Sequence, residues 1–361
     1  MDIYTNLVPK FYLGAILLIL GLLFPTINKA GAQSIGVCNG LNGSNLPSAQ
    51  ETVDLYKSEG IGRMRIYNPD QATLQALRGS NIELILGVPN SDLQPLASDA
   101  SAATQWVQKN VIAYSPDVKL RYISVGNKVD PNNPTSPFVQ FVLPAMRNIH
   151  NAIVAAGLQD QIKISTATHV HLLGNWYRPS QSVFAERAQS FMEPIIGFLI
   201  NNSAPLLTSI YPYYIYVSDT QNFQLPYALF TESGVIVRDG SLGYTNLFDV
   251  LLDAMYSAVE KVGGRSLKIV VSESGWPSAG GTAATVENAN TYYRNLMNHV
   301  KGGTPKRPGK AIETYLFAMF DENQSKGEEI QAHFGLFDPN RQPKYQISFK
   351  LVSFYFYCPV R

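Results

Sequence analysis

Lys268-Ile-Val-Val-Ser-Glu-Ser-Gly-Trp-Pro277 begins as an apolar, β-branched run and ends in a Gly-Trp-Pro turn. The run has the pattern of a strand buried on both faces in a parallel sheet. It places one carboxylate, Glu273, at the strand's C-terminal end. A parallel barrel does its chemistry at that edge, so an acid there reads as catalytic. The plainer reading is an acid that caps the next helix or pairs with an arginine.

Outward from this segment, similar apolar runs recur. Strands are predicted at 34–38, 63–67, 82–88, 121–127, 163–168, 206–213, 268–273 and 313–320. Amphipathic stretches follow most of them, at 49–58, 102–113, 139–156, 247–262 and 286–300, with apolar residues at three- and four-residue spacing. Alternation of this kind with no linker or low-complexity break predicts an α/β fold, a single (β/α)8 TIM barrel. A doubly wound open sheet is the rival. It would carry a Gly-rich phosphate loop after the first strand, and Cys38-Asn-Gly-Leu-Asn-Gly43 is not a G-x-G-x-x-G motif. The 221–240 segment reads as an insertion between strand six and its helix, with aromatics that could extend a groove wall.

The 361 residues carry a net charge of +1 and are 45% hydrophobic, which suits one large core and gives no support for a nucleic-acid partner. Residues 1–32 read as a signal peptide. Lys10 precedes an apolar run at 11–24, too short to span a bilayer, and Pro25 and Ala30-Gly-Ala32 complete a cleavage signal. The expected mature chain starts at Gln33, is secreted, has no membrane span and acts as a monomer. Its domain runs over 33–349, followed by a short apolar tail, 350–361. Cys38 and Cys358 are the only cysteines, and a secreted chain with so few is held by its core. No Cys/His cluster has metal-ligand spacing, so neither metal nor cofactor is expected. Sequons stand at Asn42, Asn201 and Asn323.

Polar and aromatic residues gather at the predicted strand ends. Tyr67 and Asn68 follow strand two, Asn127 and Lys128 strand four, His169 and His171 strand five. Tyr211 and Tyr213 belong to strand six, Glu273 and Trp276 to strand seven, Phe320, Asp321 and Glu322 to strand eight. Any one tyrosine here can be ordinary rim packing. Together, rings beside carboxylates suit sugars, which stack their C–H faces and need fixed partners for their hydroxyls.

Longer runs carry a resemblance: Ser34-Ile-Gly-Val-Cys, Arg63-Met-Arg-Ile-Tyr-Asn-Pro-Asp, Tyr122-Ile-Ser-Val-Gly-Asn, Ile210-Tyr-Pro-Tyr, Val270-Val-Ser-Glu-Ser-Gly-Trp-Pro-Ser, Glu313-Thr-Tyr-Leu-Phe-Ala-Met-Phe-Asp-Glu-Asn and His333-Phe-Gly-Leu-Phe. From about residue 34 to 349 the chain resembles the plant endo-β-1,3-glucanases of glycoside hydrolase family 17. The resemblance implies a (β/α)8 barrel and hydrolysis of β-1,3-glucan, such as callose or fungal-wall glucan, with retention. It implies that Glu273 is the nucleophile and that Asn127 touches the sugar near its 2-hydroxyl. Glu322 matches an acid of the groove floor, and Tyr67, Tyr213, Trp276 and Phe320 match groove-lining positions.

The most consequential departure from the family lies at strand four. Where the family reads Val-Gly-Asn-Glu, this chain reads Val125-Gly-Asn-Lys128, so Lys128 occupies the acid/base position. A retaining glycosidase needs two carboxyl groups about 5–5.5 Å apart, one to attack and one to give and later take a proton. An ammonium keeps its proton and cannot act as the base. It would also pair with Glu273 and blunt its attack. The expected loss is about 10²–10⁴ in rate or more. Two further family positions, a glutamate and a lysine, fall on Gln331 and Ser325, with Lys326 able to replace the latter. The alternative function is a catalytically inactive β-1,3-glucan-binding protein.

Overall fold

The computed structural model describes residues 35–324, 327 and 329–350. The proposed leader, Gln33, Ser325, Lys326, Cys358 and the tail beyond Lys350 lie outside the described residues. In chain order the elements are β1 (Ile35–Cys38), α1 (Ala49–Glu59), β2 (Arg63–Ile66), α2 (Gln71–Ala76), β3 (Glu83–Val88), α3 (Leu93–Ser98) and α4 (Ala100–Asn110). They continue with β4 (Lys119–Asn127), α5 (Val139–Ala155), β5 (Lys163–His169), β6 (Leu173–Asn175), β7 (Val183–Phe184), α6 (Glu186–Asn201), β8 (Leu206–Ser209) and α7 (Pro212–Ser218). The last are α8 (Leu225–Ala228), β9 (Val237–Asp239), β10 (Leu242–Tyr244), α9 (Leu247–Lys261), β11 (Ile269–Ser274), α10 (Val286–His299) and β12 (Thr314–Leu316).

Eight of the strands close a parallel barrel in the order β1-β12-β11-β8-β5-β4-β3-β2. Side chains alternate across each strand, so every barrel strand feeds two cores. Cys38, Ile85, Tyr122, Ala167, Leu207, Val270 and Tyr315 fill the inside. Their neighbours, such as Leu84 and Leu86 or Ile269 and Val271, face the helix layer. Local signals agree with this arrangement. Ser48 and Glu51 close a capping box on α1, and Gly60 ends it in the left-handed region. At the N-terminal end of the barrel, buried Glu313 accepts hydrogen bonds from Arg121 (3.2 and 3.1 Å) and Lys268 (2.7 Å). That end is neutralised for stability, which leaves the opposite mouth for function.

The structure departs from the sequence pattern at three places. Strand six does not run to residue 213. It stops at Ser209, and Pro212 opens α7 instead. Proline lacks the N–H a ladder requires and suits the first helical turn. Strand eight is confined to Thr314–Leu316, with Phe320 making only an isolated bridge to Phe337. The 221–240 segment is not a bare insertion, because it holds α8 and the first strand of the β9–β10 hairpin. A second hairpin, β6–β7, follows β5.

Candidate active site

Strict alternation along β11 would turn Glu273 outward, since Val270 faces the barrel interior and Val271 the helices. A bulge prevents this. Between Val271 and Glu273 the strand advances two residues while β8 advances one, from Thr208 to Ser209. The extra residue reverses the parity, so Glu273 enters the barrel mouth and Ser274 reaches out to Tyr292 of α10 (2.6 Å). A matching shift between Ser124 and Asn127 re-aims the end of β4. There Gly126 has φ +77° and Lys128 φ +52°. The left-handed turn at Lys128 costs about 1–2 kcal/mol for a residue with a Cβ. It points the side chain back over the mouth.

Glu273 is 1% exposed and accepts hydrogen bonds at both oxygens. Arg65 Nη1 donates to Oε1 at 2.9 Å, while Tyr211 Oη donates to Oε2 at 3.0 Å. The Lys128 ammonium stands 2.5 Å from Oε2. Burial pushes the Glu273 carboxyl up, but Lys128 and then Arg65 outweigh it and bring it down to about 2. The carboxylate is therefore ionised and capped by three donors.

Arg65, 1% exposed, was not singled out by sequence reading. Its Nη1 also donates to the Ser272 carbonyl (3.0 Å) and its Nη2 to Asn127 Oδ1 (2.9 Å). The guanidinium lies 4.5 Å from the Tyr67 ring centroid. It thus links the ends of β2, β4 and β11. A signal existed: Met64 and Ile66 pack among the helices, so Arg65 between them must face the barrel interior, where a charge needs a partner.

Beside this centre lies a cleft of about 270 Å³, lined by Lys128, His169, Val170, His171, Ser209, Tyr211, Tyr214, Ile215, Phe317 and Gln331. Gln331 donates to the Tyr214 hydroxyl at 2.8 Å. His169 Nδ1 and His171 Nδ1 are 3.2 Å apart, and His169 Nε2 is 3.5 Å from Asp130. Burial first, then His171, brings His169 down to about 4, so it is neutral in mildly acid solution and lacks the imidazolium proton that a general acid gives up. Among the described residues, those lining the cleft include no aspartate or glutamate. None of the described residues forms a group of three or more His, Cys, Asp or Glu placed to hold a metal ion. No helix among them is long and apolar enough to cross a membrane.

The sequence-predicted residues divide. Glu273, Lys128 and Asn127 come together with Arg65, and Tyr67 joins them through Arg65 and an edge contact to Phe317 (6.4 Å). Trp276, Tyr213 and Phe320 do not line the groove; they are 0%, 1% and 2% exposed. Trp276 packs on Tyr213 (5.0 Å) and Tyr292 (5.5 Å), and its Nε1 donates to the Ala283 carbonyl. The turn after Glu273 carries Trp276 outward into the helix layer, and α7 turns Tyr213 the same way while leaving Tyr214 in the cleft. Glu322 is also buried, packed on Gly40 and accepting from Asn42 Nδ2 (3.1 Å).

Residues 35–349 match the glycosyl hydrolases family 17. A glucan endo-1,3-beta-glucosidase of Vitis vinifera is 64% identical over 334 residues, which covers 92% of this chain and 97% of that protein. The basic vacuolar isoform GLB of the same enzyme from Nicotiana tabacum is 54% identical over 337 residues, covering 93% and 90%. The solved structure of a β-1,3-glucanase and allergen of Cryptomeria japonica pollen superposes with a TM-score of 0.85 at 44% identity, over 88% of this chain and 99% of that one.

Proposed function

The chain belongs to the glycosyl hydrolases of family 17, and on that premise we propose that it is a plant-type glucan endo-1,3-β-glucosidase whose cleft takes β-1,3-glucan and whose hydrolysis is impaired at Lys128. One observation carries this reading: the Lys128 ammonium lies 2.5 Å from Glu273, where a retaining pair needs a second carboxyl group. In the proposed mechanism Glu273 attacks the anomeric carbon. Departure of the leaving oxygen needs a proton, and breakdown of the glycosyl-enzyme needs a base to activate water. An ammonium in ion-pair contact with Glu273 cannot take that proton, so Lys128 fails at the second task. It also holds Glu273 in an ion pair that substrate must displace. Asn127, held by Arg65 and by Asn90 through two backbone hydrogen bonds (2.8 and 3.1 Å), is the proposed partner of the sugar hydroxyls.

A second reading, a β-1,3-glucan-binding protein without hydrolysis, is favoured by the aromatic wall of Tyr211, Tyr214 and Phe317. Stacking and hydroxyl contacts do not need the missing carboxyl. A reducing-sugar assay on laminarin beside a pull-down on insoluble β-1,3-glucan tests both. The proposal expects retention on the glucan and slow release of reducing ends. Retention with no release selects the binding protein, and failure to bind contradicts both. Cleavage after residue 32, delivery to the cell wall or vacuole and a monomeric 33–349 domain belong to the same proposal, and a relative named as vacuolar supports the address.

A further inference from the structure

The fold treats the chain's Asn-X-Ser sequons differently. Asn42-Gly-Ser44 follows β1 and Asn323-Gln-Ser325 follows β12, so both lie beyond the C-terminal ends of barrel strands, at the mouth. Asn201-Asn-Ser203 lies at the other end, where α6 finishes and the chain turns towards Leu206, the first residue of β8.

The sequons at the mouth are tied to each other. Asn323 Oδ1 accepts from the Ser44 backbone N–H at 3.0 Å, and Asn323 Nδ2 donates to Ser44 Oγ at 3.1 Å. One serine thus engages both ends of one amide. Asn42 Nδ2 donates to Oε2 of buried Glu322 at 3.1 Å, and the Asn42 carbonyl accepts from the Gln324 N–H at 2.9 Å. A trans amide carries its substituent on the same side as its oxygen. A glycan on Asn323 Nδ2 would therefore take the place of Ser44, and one on Asn42 would start at the seam between the same two loops.

Asn201 stands apart from these. It is exposed, and its side chain makes no hydrogen bond among the described residues. Its neighbours close the turn instead: Asn202 Nδ2 donates to the Phe198 carbonyl at 2.7 Å, and the Ala204 N–H to the Leu199 carbonyl at 2.9 Å. Ser203 is exposed too, at φ +50°. We propose that Asn201 is the N-glycosylation site of this protein and that Asn42 and Asn323 stay unmodified. This rests on the secretion proposed above, which brings the chain to the transfer machinery. In the transfer Nδ2 bonds to the anomeric carbon of a lipid-linked oligosaccharide, the bond from that carbon to the pyrophosphate breaks, and Nδ2 gives up one of its two protons. The glycan then stands at the opposite end of the barrel from the cleft, which Ser209 at the far end of β8 helps to line.

Expression of the full chain in plant cells tests this, with intact mass and peptide mapping before and after enzymatic release of N-glycans in heavy-oxygen water. A single glycan on Asn201 is expected. Asn201→Gln and Ser203→Ala, which alter the acceptor and the hydroxyl of the sequon separately, are each expected to lose it. The wild-type map decides even where a variant fails to fold. Exported protein that is bare at Asn201, or that carries a glycan on Asn42 or Asn323, overturns the assignment alone. A chain found in the cytosol with residues 1–32 uncleaved overturns the secretion reading and the assignment with it.

Discussion

Three donors converge on the Glu273 carboxylate, and they are not equivalent. Arg65 is 1% exposed, so nothing replaces it when it is lost; Lys128 has 38% of its side chain in water. Removing one member of a buried pair costs about 3–5 kcal/mol. The Lys128 pair is buried at its carboxylate end only, so water can take over part of the ammonium's role. Arg65→Met is therefore expected to destabilise the chain by about 3 kcal/mol or more in urea unfolding, and Lys128→Met by less, because Arg65 also donates to the Ser272 carbonyl and to Asn127. Equal losses would contradict this division. Glu273 and Lys128 were legible in the sequence because each sits in a long ordered run at a strand end. The plainer reading of Glu273, an acid paired with an arginine, also holds in part. Arg65 stood in one of the same runs, but its importance emerges only when β2 is seen as a strand with an inward face. Trp276, Tyr213 and Phe320 misled because a strand-end position does not fix which way the next turn throws a ring.

At the level of elements, the mouth depends on bulges that no hydrophobic pattern reveals. An extra residue in β11 turns Glu273 inward, and the shift at the end of β4 brings Asn127 to Arg65. Periodicity located the strands but not their reversals, and it ran strand six through Pro212. Close packing next to the bulge gives a test. A Cβ on Gly275 would overlap the backbone carbonyl of Phe317, which lines the cleft, and would press on Tyr293. Backbone cannot yield as a side-chain tip can. Gly275→Ala is expected to cost about 1–3 kcal/mol in stability and to weaken laminari-oligosaccharide binding. A variant with wild-type melting and binding would show that the Phe317 segment is not held in this way.

For the molecule as a whole, the barrel was the most legible feature, since alternation of strands and helices is a global pattern that survives local errors in boundaries. Its stability should also report the ion pair. Glu273 titrates at about 2 in the folded chain against an ordinary 4.5, so the unfolded chain binds a proton that the folded chain refuses between those values. Its contribution is complete above about 4.5 and is lost as pH falls through about 2. Lys128→Met removes the larger counter-charge and moves the folded value up. The unfolded chain's titration is common to both, so the stability of wild type relative to that variant is expected to grow from pH about 2 up to the variant's own, higher folded value and then level off. Asp253, which burial pushes up to about 6, slopes the opposite way but cancels in the difference. A difference independent of pH would deny the coupling. The central proposal, that Lys128 is what impairs catalysis, is tested by laminarin hydrolysis with Lys128→Glu beside wild type. The new carboxyl would stand near ionised Glu273, which raises its pKa and keeps it protonated until the glycosyl-enzyme forms. The account predicts a gain of at least about 10²-fold. A wild type that already hydrolyses laminarin as fast as the variant would contradict it.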